Sequence, residues 1–272
     1  MISRIPLRWG APLFLVFAML SLATPASVRA QIGLAPTASL ANARTGAAAD
    51  LTGYWVSIVT EDWRYRMITP DKGDFPGIFL TPEGQRIANT WDPAKDEASG
   101  DQCKSYGAGA IMRVPTRLHI TWDDDSTLRV ETDAGTQTRL FHFGNAVPPN
   151  SGPPTWQGYS VASWEGLRPR GFVIPVVAGG GAGARPAEEG YLKVVTKDLR
   201  PGYLRKNGVP YGGNAVVEEY FESFKEPNGD TWLVVTAIVT DPQYLAQPYL
   251  TSSQFKKLPD ASGWNPTPCE AK

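Results

Sequence analysis

The chain is poor in the residues on which most enzymes build their chemistry. Its 272 residues hold two cysteines and two histidines. No His-x-x-x-His or Glu-x-x-His spacing occurs, so no metal-ligating motif is present and no metal is expected. There is no Gly-rich phosphate-binding loop and no Gly-x-Ser-x-Gly elbow; Gly158-Tyr159-Ser160 falls inside a strand pattern, the wrong setting for a nucleophile. Lys and Arg number 26 against 27 Asp and Glu, a net charge of −1. With no basic excess, nucleic acid and anionic lipid are poor partners. Beyond the first thirty residues no run is long and apolar enough to span a bilayer.

What is present begins at the N-terminus. Arg4 and Arg8 precede an apolar run from Ala11 to Ala23, and a short polar stretch ends in Val28-Arg29-Ala30 before Gln31. That is the layout of a secretory signal peptide over 1–30, cleaved near Ala30/Gln31. The expectation is a periplasmic or secreted protein, where NAD and ATP are scarce and no cofactor is foreseen. No Cys sits at the cleavage point, where Gln31 stands instead, which argues against a lipid anchor. Export makes one disulfide the default for Cys103 and Cys269. Closing so long a loop contributes roughly 3–5 kcal/mol on a chain-entropy argument. A nucleophilic Cys103 is the alternative.

Gln31–Asp50 is Ala/Thr-rich and aperiodic and reads as a disordered leader. A single domain is expected over 51–272. Structure is expected to start at Leu51–Trp55 and run into a strand from Val56 to Thr60, with the next strand from Arg64 to Thr69. A helix follows, capped by Thr81 with Pro82 at its first position, running to about Trp91; Pro93 ends it or opens a second short helix. From Thr116 the pattern is β throughout. Thr116–Trp122, Thr127–Thr132 and Thr136–Phe143 form a meander, followed by strands at Trp156–Trp164, Tyr191–Thr196, Ala215–Phe224, Thr231–Thr240 and Tyr249–Lys257. Pro227-Asn228-Gly229-Asp230 is a hairpin turn, and 178–186 (AGGGAGARP) is a flexible insertion. About nine or ten strands with one helix near the N-terminal side describe an all-β fold. A single antiparallel barrel is preferred to a sandwich, because strands such as Val216–Phe221 carry polar residues on both faces.

Gly53-x-Trp55 resembles the opening of lipocalin-like barrels, in which a Trp closes one end. A broader resemblance is carried by Thr138-Arg139, Trp156-x-Gly158-x-Ser160-x-x-x-Trp164-Glu165, Glu219-x-Phe221 and Asp241-Pro242-x-Tyr244 with Pro248. Thr81-Pro82-x-Gly84, Pro93 and Cys103 extend it. Together these look like a group of mostly uncharacterised secreted bacterial proteins with a calycin-type barrel. The resemblance implies the barrel and export and carries no activity with it. The 178–186 insertion departs from the group.

Several residues are candidates for chemistry. His119 and His142 lie on outer strands of the meander and are expected on one face, either as a metal or acid–base pair or as hydrogen-bonded residues of a wet wall. Arg139 among Phe141 and Phe143 is either a cation–π plug or a clamp for a carboxylate. Glu218 and Glu219 alternate, so one faces inward, as a general base or as an ion-pair partner of Arg139. Leu199–Tyr211 is too long for a plain hairpin. Tyr203 and Tyr211, with Arg200 or Arg205, either meet a ligand or pack as an Ω-loop over the rim. Trp63-Arg64-Tyr65-Arg66 reads as structural and Arg113 as a surface or loop residue.

The leading expectation is an exported binding protein that holds a small, largely apolar, aromatic or terpenoid-like ligand with one polar or anionic group in a barrel cavity. Arg139, His119, Trp156, Tyr211 and Arg205 are its candidate ligand contacts. Two alternatives stand beside it. One is a cofactor-free lyase, isomerase or cyclase using Glu219, His142 and Tyr203 as acid–base groups. The other is a structural envelope protein with a filled barrel.

Overall fold

A computed structural model of the protein describes residues 43–144, 152–166 and 190–272. The segment expected to be a signal peptide, residues 31–42 of the expected leader and the expected insertion at 178–186 lie outside the described residues. The chain divides into two units, Met1–Thr37 and Ala38–Lys272, and the second carries the fold.

Nine strands close a barrel in the order β1-β11-β10-β9-β6-β5-β4-β3-β2. They are β1 (Gly53–Ile58), β2 (Arg117–Trp122), β3 (Thr127–Thr132), β4 (Gln137–Phe143), β5 (Tyr159–Glu165), β6 (Tyr191–Lys197), β9 (Val216–Lys225), β10 (Thr231–Thr240) and β11 (Tyr249–Leu258). The remaining two, β7 (Gly202–Arg205) and β8 (Val209–Tyr211), pair as a small separate hairpin. The barrel is mixed rather than purely antiparallel. β5 sets off in the same direction as β4, and Phe141, His142 and Phe143 face Ser160, Val161 and Ala162 in a parallel register.

Helices α2 (Pro82–Ala88) and α3 (Pro93–Ala98) follow their caps closely. The Thr81 hydroxyl accepts from the Gly84 amide at 3.0 Å, and Asp92 accepts from the Ala94 and Lys95 amides. A Cβ on Gly84 would run into the Tyr244 carbonyl, so this glycine sets how closely α2 approaches the barrel. The strand expected at Arg64–Thr69 is instead a single helical turn, α1 (Trp63–Met67). The alternation Trp-Arg-Tyr-Arg-Met suits a strand. Two tertiary features override it. Asp62 takes a left-handed conformation (φ 50°), which turns the chain sharply off the barrel. Arg66 then folds back, its Nε donating to the Arg113 carbonyl at 2.9 Å.

Side chains fill the barrel interior in layers, as the period-two alternation of its strands requires. The main cluster holds Trp55, Leu118, Ile120, Val130, Phe141, Phe221, Leu233 and Phe255, all fully buried. Trp122, Phe143 and Trp164 stack near the end where β1 enters, and the Trp164 indole donates to the Ala43 carbonyl at 3.0 Å. Residues Ala43 and Ala49, from the stretch expected to be leader, pack on this core. At the opposite end, β7, β8 and α2 lie over a second apolar cluster that includes Leu199, Leu204, Val209, Tyr211, Val217 and Leu245.

Between the two clusters sits an ion pair. Arg139 on β4 and Glu219 on β9 are 1 % and 0 % exposed and meet through two hydrogen bonds, at 2.8 and 2.5 Å. Arg139 also donates to Thr196 at 3.3 Å, and Thr196 shares a 2.8 Å hydrogen bond with Ser160. The guanidinium lies 4.9 Å from the Phe141 ring centroid. Glu218, its neighbour in the alternation, points outward to Lys193.

Removing one member of such a pair leaves the other charge buried and unpaired. Glu219→Ala is expected to lower the unfolding free energy by about 3–5 kcal/mol. The double variant Arg139→Met/Glu219→Leu is expected to recover most of that loss. Urea unfolding of the three proteins checks it; a double variant as unstable as the single one contradicts it.

Candidate cationic pocket

The barrel end away from Trp122 carries a pocket of about 330 Å³. It forms where β1 leaves the barrel, β2 enters and the β3–β4 turn closes. Its lining includes Tyr65, Arg66, Met67 and Ile68 from α1 and its C-cap, and Tyr106, Ala110, Arg113 and Val114 from the connection before β2. Leu204, Arg205 and Lys206 come from the end of β7. Thr267, Pro268 and Glu270 come from the C-terminal tail.

Local folding explains each placement. The left-handed Asp62 swings α1 back over the barrel end, carrying Arg66 with it. A 3₁₀ turn over Ile111–Arg113 is halted before Pro115 and delivers Arg113 from an otherwise apolar run. The tail is held by the Cys103–Cys269 disulfide, with a Cα–Cα distance of 5.1 Å. Further along, the Thr267 amide donates to the Asp133 carbonyl at 2.8 Å, and Thr136 donates to the Thr267 carbonyl at 2.9 Å. The disulfide thus fastens one wall of the pocket. A disulfide, and the absence among the described residues of any helix long and apolar enough to cross a membrane, are compatible with an extracellular or periplasmic protein.

The electrostatics of the pocket are one-sided. Arg66, Arg113 and Arg205 are 9 %, 7 % and 5 % exposed. Arg113 has partners, donating to the Tyr249 hydroxyl and to Asp62 at 3.2 Å. Arg66 donates Nε to the Arg113 carbonyl and Nη2 to Ser57, but its buried Nη1 meets no acceptor among the described residues. Arg205 lies 4.7 Å from the Tyr65 ring centroid, and its buried Nε and Nη1 likewise meet no acceptor there. Burial holds the Arg66 and Arg113 guanidiniums below their ordinary pKa. Repulsion adds to this, from Arg113 on Arg66 and from Arg205 on Arg113. Glu61 and Asp62 oppose that shift from outside, and the exposed Glu270 is the one acidic residue of the lining.

The sequence candidates distribute unevenly. Of the five proposed ligand contacts, Arg205 lines this pocket. Arg139 and Glu219 face each other inside the barrel. Tyr211 packs nearby in the second apolar cluster, its hydroxyl buried without a partner among the described residues and its pKa pushed up by burial. Tyr203 donates to Asp96 at 2.9 Å, and burial followed by this hydrogen bond pushes its pKa up to about 12. Trp156 lies beneath Arg200, 4.2 Å from the guanidinium carbon to the ring centroid.

The histidines do share a face, and it is the outer one. His119 stacks on Tyr54 at 4.2 Å and contacts Glu131 at 3.0 Å, whereas His142 stacks on Tyr159 at 4.9 Å. The register sets Thr138 level with His119, so His142 lies four residues further on, at least about 13 Å along the wall. Burial lowers the His142 pKa. Among the described residues no three His, Cys, Asp or Glu side chains gather as a metal site. Glu219, His142 and Tyr203 therefore stand apart from one another, each engaged with its own neighbour.

Arg66 and Arg113 carry the pocket, and the sequence reading passed over both. Arg113, taken as a surface or loop residue, is buried. The signal it offered was a lone cation inside Ala108-Gly-Ala-Ile-Met-Arg-Val-Pro115. Arg66 offered none, since its inward turn depends on the Asp62 backbone. Compared with family models, curated proteins and solved structures, the chain finds no match.

Two outcomes follow from this geometry. Tyr203 is neutral in the fold to a higher pH than in the unfolded chain. The stability it contributes is complete below pH 10 and is lost as pH rises from 10 toward 12. Tyr203→Phe is therefore expected to flatten the fall of the unfolding midpoint over that window relative to wild type; parallel curves contradict this. Secondly, Cys103→Ser/Cys269→Ser is expected to lose roughly 4–5 kcal/mol of stability on the chain-entropy model. It should also speed amide exchange at Thr267 and Glu270, read by hydrogen-exchange mass spectrometry. An unchanged tail would show that the disulfide does not hold the wall.

Proposed function

We propose that the protein is an exported binding protein for a small organic anion, held between Arg66, Arg113 and Arg205 at the barrel end. The carrying observation is the pair of buried guanidiniums, Arg66 and Arg205, with donors that no described protein group accepts. Buried donors are nearly always paired, and an unpaired charge is the costliest exception. A carboxylate, phosphate or sulfonate entering the pocket accepts those hydrogen bonds in charge-assisted form and relieves the repulsion among the cations. Tyr65, Tyr106, Val114, Leu204 and Pro268 line the rest and suit an aromatic or other apolar body. This keeps the ligand class expected from the sequence, a largely apolar molecule with one anionic group. It moves the ligand from the barrel interior, where Glu219 neutralises Arg139, to the barrel end. Export as a periplasmic or secreted protein rests on the N-terminal signal-peptide pattern and accords with the disulfide.

Phenyl phosphate is the test probe, titrated calorimetrically at constant ionic strength against wild type and Arg205→Met. Wild type is expected to bind. The variant is expected to bind at least about tenfold more weakly, since a charge-assisted hydrogen bond is worth about 1.5–3 kcal/mol. It should unfold no more readily than wild type, because it loses an unsatisfied buried charge rather than a paired one. No binding to wild type, or equal affinity in the variant, overturns the proposal.

A further inference from the structure

The segment that sends Arg66 into the pocket leaves its large apolar side chains exposed. Trp63, Met67 and Ile68 are 62 %, 59 % and 62 % exposed. Trp63 and Met67 stand four apart on α1 and are exposed, while Arg66 is the buried residue of the same turn. Single exposed apolar residues are ordinary. Three large ones within six residues, bordering a cationic pocket, are not. Met67 and Ile68 themselves belong to the pocket lining, so the apolar strip is continuous with the site and leads outward from its mouth. The pocket's 330 Å³ matches the volume of roughly ten water molecules, room for a head group and a short apolar body.

Resting on the anion-binding reading above, we propose that the ligand is a free, single-chain amphiphilic anion. Its head group is held by Arg66, Arg113 and Arg205. Its hydrocarbon chain leaves the pocket across Met67 and Ile68 toward Trp63. Charge complementarity fixes the orientation: the guanidiniums lie at the buried end of the path and carbon lies at the exposed end. An alkyl chain on this strip is covered on one side, so each methylene gains part of the roughly 0.8 kcal/mol that full burial would give. The strip is too short to extract a two-chain lipid from a bilayer, which is why the occupant is the free monomer.

The experiment is a calorimetric series with inorganic phosphate, butyl phosphate and octyl phosphate, all below micelle-forming concentrations, against wild type, Arg205→Met and Trp63→Ser. A parallel arm measures co-sedimentation with phosphatidylglycerol vesicles. Expected is at least tenfold tighter binding of octyl than of butyl phosphate by wild type. Trp63→Ser should keep the butyl phosphate affinity and lose part of the octyl gain. If butyl and octyl phosphate bind equally and both depend on Arg205, the amphiphile inference falls while the anion site stands. If neither binds, the anion reading falls and this inference with it. Vesicle co-sedimentation without a chain-length gain overturns the free-amphiphile assignment in favour of a membrane surface.

Discussion

A guanidinium taken out of water needs a counter-charge, and this fold supplies one in one place and withholds it in another. Inside the barrel, Arg139 finds a whole carboxylate in Glu219 and a hydroxyl in Thr196. At the barrel end, Arg66 and Arg205 are nearly as well buried and keep donors that no described group accepts. The first arrangement fills space and closes the interior. The second resists closure, because another acid beside it would discharge the pocket and abolish its pull on an anion. Arg139 also keeps an unpartnered Nε, so what separates a structural arginine from a binding one here is the carboxylate: Arg139 has a fully buried one, and Arg66 and Arg205 have none among the described residues.

The rest of the architecture follows from this division. With Arg139, Glu219, Phe141 and Phe221 meeting across the interior, the barrel works as a packed scaffold. The variable connections collect at one end. There α1, the 3₁₀ turn before β2, the end of β7 and the C-terminal tail each contribute one wall. None of these segments has much regular structure of its own. They are held by tertiary links: Asp62 to Arg113, the Arg113 carbonyl to Arg66, Thr267 to Asp133, and Cys103 to Cys269. Rigid strands below and fastened loops above are the usual way a barrel presents a site.

Much of the scaffold was legible beforehand. The period-two alternation in Val216–Lys225 and Thr231–Thr240 and the turn at Asn228-Gly229 specify a hairpin, and Thr81-Pro82 specifies a helix start. These signals are local, so they survive without tertiary knowledge. The partnership of Glu219 with Arg139 was legible as one of two readings, because an inward acid and an inward base sharing one barrel interior tend to meet. The pocket was not legible in the same way. Arg66, Arg113 and Arg205 are distant in sequence and converge only after a left-handed Asp62 and a disulfide have placed their segments. The alternation Trp63-Arg64-Tyr65-Arg66-Met67 pointed to a strand, and the left-handed Asp62 together with the non-local Arg66–Arg113 contact accounts for the helical turn. The parallel β4–β5 pair was equally hidden, since the path between them leaves no periodic trace.

The central claim is that the anion is met by the barrel-end arginines and not by the one inside. Arginine-selective NMR of the guanidinium Nε–H groups during a phenyl phosphate titration tests it most directly. The account predicts that the Arg66, Arg113 and Arg205 resonances shift along one saturating curve while that of Arg139 stays still. Movement of the Arg139 resonance, with the other three unperturbed, would place the ligand inside the barrel and contradict it.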